Sequence, residues 1–546
     1  MDIFLNGIQA VQNDGRLILG ILLCVAWGAL IVFALLKRFG DGRTGDADLA
    51  ALALGGWPAP MLLLSCLYLP VYHLISPGVA YASAALLMAA SAGIALFSLL
   101  GKVRRETGLP VLGFLFLVFV RLGFTAGAIL PPYFDSAEHY RIIQSLLNNE
   151  GFTWPTASYY HLGYHAIAAL LASLSHAGLA RVMLVFGQIV LAALPMPMYF
   201  LVRSGTGSRS AALLAASAAA FGWSMPAGAV NWGKYPALLG LVALQFAVGV
   251  SVLRKFRLST GAALAAMLIH TRMIILMGIL AAGRLLSRVR RSLLIGVTSL
   301  ILAVEILVLW RDPRLRAVLE PYMDWATLLV LLLAVLAWQP YPRLVSASIL
   351  VLAAILGGML IPLPPTLTLL DRPFVEMALY LPLAFLCGLG ASRMPGSVNV
   401  ALAMVIAIHA WTSFSFSPSA CCQLAGPDDA AALGWIGKEL PKDARVGIAV
   451  ADLSLSLTGA PLQNTGADAG IWVRPLTGRN TRTLPYFIDF TRPETHELLC
   501  AEKVTHLYIG GNELSFRMRS WVEYPGWYEV LFALPKAQVI EVLGCK

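Results

Sequence analysis

Five short stretches of this chain gather residues able to move a proton or hold an anion. In "YFDSAEH" (Tyr133–His139), Asp135, Glu138 and His139 stand at i, i+3 and i+4, so one helix face presents two carboxylates and an imidazole. "YYHLGYH" (Tyr159–His165) contributes Tyr160, His161 and His165. "NWGKY" contributes Asn231, Trp232, Lys234 and Tyr235, "HTR" contributes His270 and Arg272, and "DRPFVE" contributes Asp371, Arg372 and Glu376. A carboxylate can take the proton of an attacking hydroxyl. Guanidinium and ammonium groups hold phosphate oxygens, Arg as a planar fork and Lys as a point charge. His161 and His165 have a zinc-binding spacing but no evident third ligand, so no metal site is assigned.

Whether these stretches can meet depends on the apolar segments between them. The 546 residues are 58% hydrophobic and only 12% charged, where soluble domains carry roughly 25% charged residues. Apolar runs of about 18–23 residues recur, matching the ~20 that cross a bilayer core. The expected fold is a polytopic α-helical membrane protein of about 11–13 transmembrane helices plus re-entrant or short hairpin helices. From Pro418 the composition turns charged, Gly- and Pro-punctuated and strand-like ("ARVGIAVADL", "VTHLYIG"), which predicts a C-terminal α/β domain. The predicted organisation is N-terminal transmembrane helices over 1–108, a membrane core over 109–417 with an outer loop at 131–164, and the soluble domain over 418–546. Residues 1–16 show no cleavable signal pattern.

Sidedness follows from the basic clusters. The net charge of +10 is accounted for by Lys37/Arg38/Arg43, Lys102/Arg104/Arg105, Arg203/Arg209, Arg254/Lys255/Arg257 and Arg284/Arg288/Arg290/Arg291, expected to be cytoplasmic. Nucleic acid is not needed to explain it. Leu109–Leu130 then runs outward and leaves 131–160 outside. The run His165–Leu179 is too short for a full span and is expected to dip in from the outside. Residues 258–283 lie between two cytoplasmic clusters and are too few for two spans, so a hairpin turning at His270–Arg272 is expected. An ionisable residue at such depth is a functional candidate. Arg311–Asp324 is expected to be an outer loop. All five stretches, and the C-terminal domain, then fall on the extracytoplasmic face of a cell inner or plasma membrane. There a disulfide joining Cys421 or Cys422 to Cys500 or Cys545 is expected, with the pairing open.

Each stretch also has a plainer reading: a solvated helix face for the acids, an interfacial belt for Trp and Tyr, a snorkelling end for Lys234 or Arg372. Together they suit an anionic lipid headgroup reacting with a polar acceptor. A sugar activated by a lipid phosphate needs cations at the membrane edge and a base for the acceptor hydroxyl. Asp135 is the natural base, with Glu138 and His139 tuning it or holding the acceptor.

In this order and sidedness the chain resembles the GT-C superfamily of polytopic glycosyltransferases, which use polyprenyl-phosphate-linked sugars. The resemblance spans roughly residues 109–414 and rests on "YFDSAEH", "YYHLGYHAIAALL" and "LARVMLVFGQIVLAALPMPMYFLVR". "NWGKYPALLG", "LIHTRMIIL" and "DRPFVEMALYLPLAFLCGLG" resemble motifs of uncharacterised bacterial and archaeal members. It implies that Asp135, the first acid after the outward span, is the catalytic base. It further implies that Lys234, Arg272 and Arg372 hold the lipid phosphate, with His270 and Tyr235 beside them. Tyr160, His161, His165, Asn231, Trp232 and Glu376 are then expected to contact the acceptor or substrate, a glycan, lipid or protein. Two features depart from better-known members: three spans precede the usual first one, and the outer loop has no D-x-D pair. A divalent metal requirement is therefore left open. A flippase or exporter of a lipid-linked glycan would gather the same cations, but should show a polar path and repeated halves, and the sequence has no convincing internal repeat. A non-catalytic assembly partner would need no acid cluster.

Overall fold

A computed structural model of the protein describes residues 2–39, 44–149, 161–286, 288–363, 367–413, 416–450, 466–517 and 524–545. Among these, eight helices are long and apolar enough to cross a membrane, or nine if a bent pair counts as one span. They are Ile3–Phe39, Asp46–Leu74, Pro77–Leu99, Arg105–Ala126, Leu179–Thr206, Tyr235–Val252, Arg291–Arg311 and Arg372–Ala391. Shorter apolar helices of 10–17 residues stand beside these among the described residues. One example is Arg209–Phe221, followed by a 3-10 turn over Ala227–Trp232.

Local sequence explains where helices begin and end. Ser76 accepts from Val79 N and Pro77 fills the first turn of Pro77–Leu99. Pro131 and Pro132 delay the next helix to Phe134, and it ends at Asn149 in the left-handed region. Two short helices, Phe256–Ile269 and Met273–Leu286, meet at His270–Arg272. Arg311–Asp324 corrects expectation. It is not an open loop but carries the helix Pro313–Leu319 and a 3-10 turn, set at 90° to Trp325–Trp338. Three arginines there made a helix read as a polar connection.

Pro77–Leu99 and Arg291–Arg311 expose Leu86, Ile94, Phe97, Leu300, Ile306 and Trp310, while Leu179–Thr206 and Arg372–Ala391 are almost wholly buried. So much apolar surface on whole helices is stable only where hydrocarbon is the solvent, as in a multi-pass membrane protein. One continuous apolar core runs from Ala10 through the buried helices to Phe416, joining residues 1–108 to the region 109–417.

After a small antiparallel ribbon, β1 (Pro362–Leu363) with β2 (Leu367–Thr368), the C-terminal part forms a five-stranded sheet. Its strands are β3 (Arg445–Val450), β4 (Asn480–Pro485), β5 (His506–Ile509), β6 (Tyr528–Leu534) and β7 (Ala537–Val542), in the order β4-β3-β5-β7-β6. β3 pairs in parallel with β4 and β5, and β7 runs antiparallel to β5 and β6. The helix Pro427–Glu439 covers one face. The disulfide is Cys500–Cys545, which corrects the expected link from Cys421 or Cys422. Those two remain thiols with their sulfurs 2.9 Å apart, because both precede the sheet and lie by the Asp135 helix.

Candidate functional site

Asp135 lies in the first turn of Phe134–Asn148, and Lys234 immediately precedes Tyr235–Val252. The ammonium of Lys234 donates to the Asp135 carboxylate. Gly233 makes this meeting possible. Its φ is +67°, and a Cβ there would lie 2.6 Å from Ser136 Oγ and 2.8 Å from Ser136 N. Only glycine takes that backbone at so close an approach. Ser136 Oγ donates to Pro132 O at 2.5 Å. No side chain caps the first amides of Tyr235–Val252, so the positive end of that helix faces the same spot.

Behind the pair runs a seam of four histidines. His139, 4% exposed, places Nδ1 3.0 Å from His165 Nε2. Burial pushes the His139 imidazole down to about 4, opposed by the nearby Asp135 carboxylate and reinforced by Lys234. One of the two rings donates and the other accepts, so the pair is a neutral hydrogen bond at pH 7. His161, a turn before His165, lies with its ring 4.0 Å from that of His270. His270 in turn stacks on Phe374 at 5.2 Å and 18°. The approach depends on Gly163, where a Cβ would sit 2.8 Å from Ile269 Cα and 2.8 Å from Leu268 O.

The seam ends in two more ion pairs. Arg272 Nη1 is 2.8 Å from Asp371 Oδ2, with its guanidinium 5.8 Å from the Phe374 ring. Arg372 Nε is 2.6 Å from Glu376 Oε1, the acid buried and the arginine exposed. Asp371 also caps the helix it precedes, accepting from Phe374 N at 3.1 Å. Asp135 and Lys234, then His139, His161, His165 and His270, and Arg272 with Asp371 thus follow one another through a largely buried polar seam, with the Arg372–Glu376 pair on the helix that Asp371 caps. Glu138 turns aside to Arg141, 2.5 Å away. Tyr235 is buried between Gly187 and the parallel ring of Tyr164, 6.0 Å off. Trp232 is half-buried against the apolar core. Asn231 Oδ1 accepts from Ser419 N at 2.9 Å. Tyr160 lies outside the described residues. Among the described residues, the one grouping of three ligand atoms within 4.8 Å is His496, Cys500 and Cys545, whose sulfurs are already joined. The four histidines of the seam form no such grouping.

Sequence reasoning missed Asp371 as the partner of Arg272, although Asp-Arg-Pro is a helix-start signature that could have marked it. It also missed the seat of the C-terminal domain. Ala137 and Tyr140, on the same helix as Asp135, pack into the cluster of Trp472, Val473 and Leu433. The Tyr140 and Trp472 rings meet edge-on at 5.6 Å. Tyr133 N donates to Cys422 O at 2.9 Å. No family model matches the chain, and no curated protein resembles it in sequence.

Proposed function

We propose that the protein is a membrane glycosyltransferase that moves a sugar from a polyprenyl-phosphate donor to an extracytoplasmic acceptor. The observation that carries the reading is the meeting of Asp135 with Lys234, continued through the histidine seam to Arg272 and Arg372. Asp135 takes the proton of the acceptor hydroxyl as its oxygen attacks the anomeric carbon. The carbon–oxygen bond to phosphate breaks, and polyprenyl phosphate leaves with the electron pair, inverting the sugar carbon. Lys234, Arg272 and Arg372 hold the phosphate as it gains charge. The neutral His139–His165 pair lies one helical turn behind the base and brings no charge of its own. Extracytoplasmic placement is supported by the disulfide Cys500–Cys545, which persists in oxidising compartments, and by the basic clusters at the opposite helix ends.

The test uses membranes containing the protein and polyprenyl-phosphate sugars labelled in the sugar. Acceptor-dependent release of free polyprenyl phosphate is expected. Asp135→Asn should express and fold normally while losing about 10²- to 10⁴-fold in rate. Unchanged turnover in that variant removes Asp135 as the base. Movement of intact lipid-linked glycan without bond cleavage would assign transport instead.

A further inference from the structure

We propose that Lys234 is a donor-operated lock on Asp135, an inference that rests on the transferase reading. Every cation of the site is matched by a carboxylate: Lys234 with Asp135, Arg272 with Asp371, Arg372 with Glu376, and Arg141 with Glu138. The four pairs make the resting site formally neutral. The ammonium donates to Oδ2 of Asp135 and so takes up one of the two oxygens that could accept the hydroxyl proton. The base is therefore engaged before any substrate arrives.

A phosphate brings extra negative charge, and the three phosphate-facing cations answer it differently. Arg372 holds Glu376 through Nε and Arg272 holds Asp371 through Nη1. Each leaves the rest of a five-donor fork for an oxyanion while keeping its carboxylate. Lys234 has one nitrogen on a flexible stem, and its pair with Asp135 is mostly shielded from water, at 24% and 16% side-chain exposure. Shared between two anions in so confined a place, the ammonium can approach the phosphate only by loosening its hold on Asp135. Donor binding thus frees Oδ2, and the whole carboxylate opens to the acceptor hydroxyl once the donor is seated. The lock favours one order of binding, donor first.

Zero-length cross-linking reads the lock directly, without turnover. A carbodiimide activates the Asp135 carboxyl, the Lys234 amine attacks, an amide forms and the urea leaves. Wild-type protein in lipid nanodiscs should give the Asp135–Lys234 cross-linked peptide by mass spectrometry. Saturating polyprenyl phosphate should reduce its yield about tenfold, while polyprenol should leave it unchanged. Asp135 should at the same time become open to coupling with added glycine ethyl ester. Loss of the cross-link with inorganic phosphate alone would support the lock but assign a water-soluble phosphate donor. Polyprenyl phosphate that binds, as seen by native mass spectrometry, with an unchanged cross-link would overturn the lock and leave the transferase reading standing. Failure of polyprenyl phosphate to bind would overturn both. Lys234→Met should allow glycine ethyl ester to couple at Asp135 with or without lipid, and continued lipid dependence there would also overturn the lock.

Discussion

A histidine next to a carboxylate and an ammonium invites the role of proton shuttle, yet His139 is too dry for it. Burial holds its imidazole near 4, below the ordinary 6.5. Between those values the unfolded chain binds more protons than the folded one. The stability gained by keeping the ring neutral is thus complete above pH 6.5 and drains away as pH falls toward 4, by up to about 3 kcal/mol. Thermal unfolding in detergent should show a steeper loss from pH 7 to pH 4.5 for wild type than for His139→Asn. At the same scale, the rate profile of donor turnover should show no step between pH 6 and 8 attributable to His139. Asp135→Glu tests geometry rather than charge. One added methylene pushes the carboxylate into the ammonium and Gly233, so it should lower the rate without restoring what Asp135→Asn removes.

Two close approaches set the site's geometry at the level of elements. Gly163→Val would drive a branched side chain into the backbone of Ile269 and Leu268. It should push Gly163–Ser175 off Phe256–Ile269 and part His161 from His270, costing about 1–3 kcal/mol. Gly233→Ala should be worse for turnover than for stability, since the left-handed turn and the contact with Ser136 N both aim Lys234 at Asp135. Hydrogen exchange at Phe134–Asn148 separates local loosening from unfolding. The hairpin's turn was legible in the sequence, because 26 residues between two basic clusters leave room for only two short helices. So was the helix face bearing Asp135 and His139, fixed by i, i+4 spacing. The Asp135–Lys234 pair was not, since the partners are 99 residues apart and periodicity carries no tertiary address. The helix Pro313–Leu319 stayed hidden because its arginines outweighed its propensity. Six further apolar helices of 10–17 residues stand beside the eight long ones among the described residues, and an apolar run alone does not tell such a helix from a full span.

For the molecule as a whole, the consequential contact is the C-terminal domain seated on the helix that carries Asp135. Asp468 begins the turn that delivers Trp472, accepting from Gly470 N at 2.8 Å. Burial pushes its carboxyl up to about 7, with Asp429 adding to the effect and the hydrogen bond from Gly470 N opposing it. Between the ordinary value of 3.8 and about 7 the folded chain holds a proton that the unfolded chain has lost, so stability is complete below that window, falls as pH rises through it and levels off above 7. Asp468→Asn keeps the acceptor oxygen and discards the charge. Scanning calorimetry should show the wild-type protein losing stability from pH 4 to pH 7.5, by up to about 4 kcal/mol, and the variant losing less over the same window. Tyr140 tests the docking itself, because it reaches Trp472 from the membrane part and leaves the domain's own core untouched. An edge-on aromatic contact is worth about 0.5–1.5 kcal/mol beyond its buried area. Tyr140→Ala should therefore speed amide exchange over Phe134–Asn148 by about two- to tenfold while β3, β5 and β7 keep wild-type protection. If exchange rises equally in the sheet, the domain leans on this helix for its own folding. If it rises in neither, the helix is held by its packing against Gly163–Ser175 and Tyr133 alone.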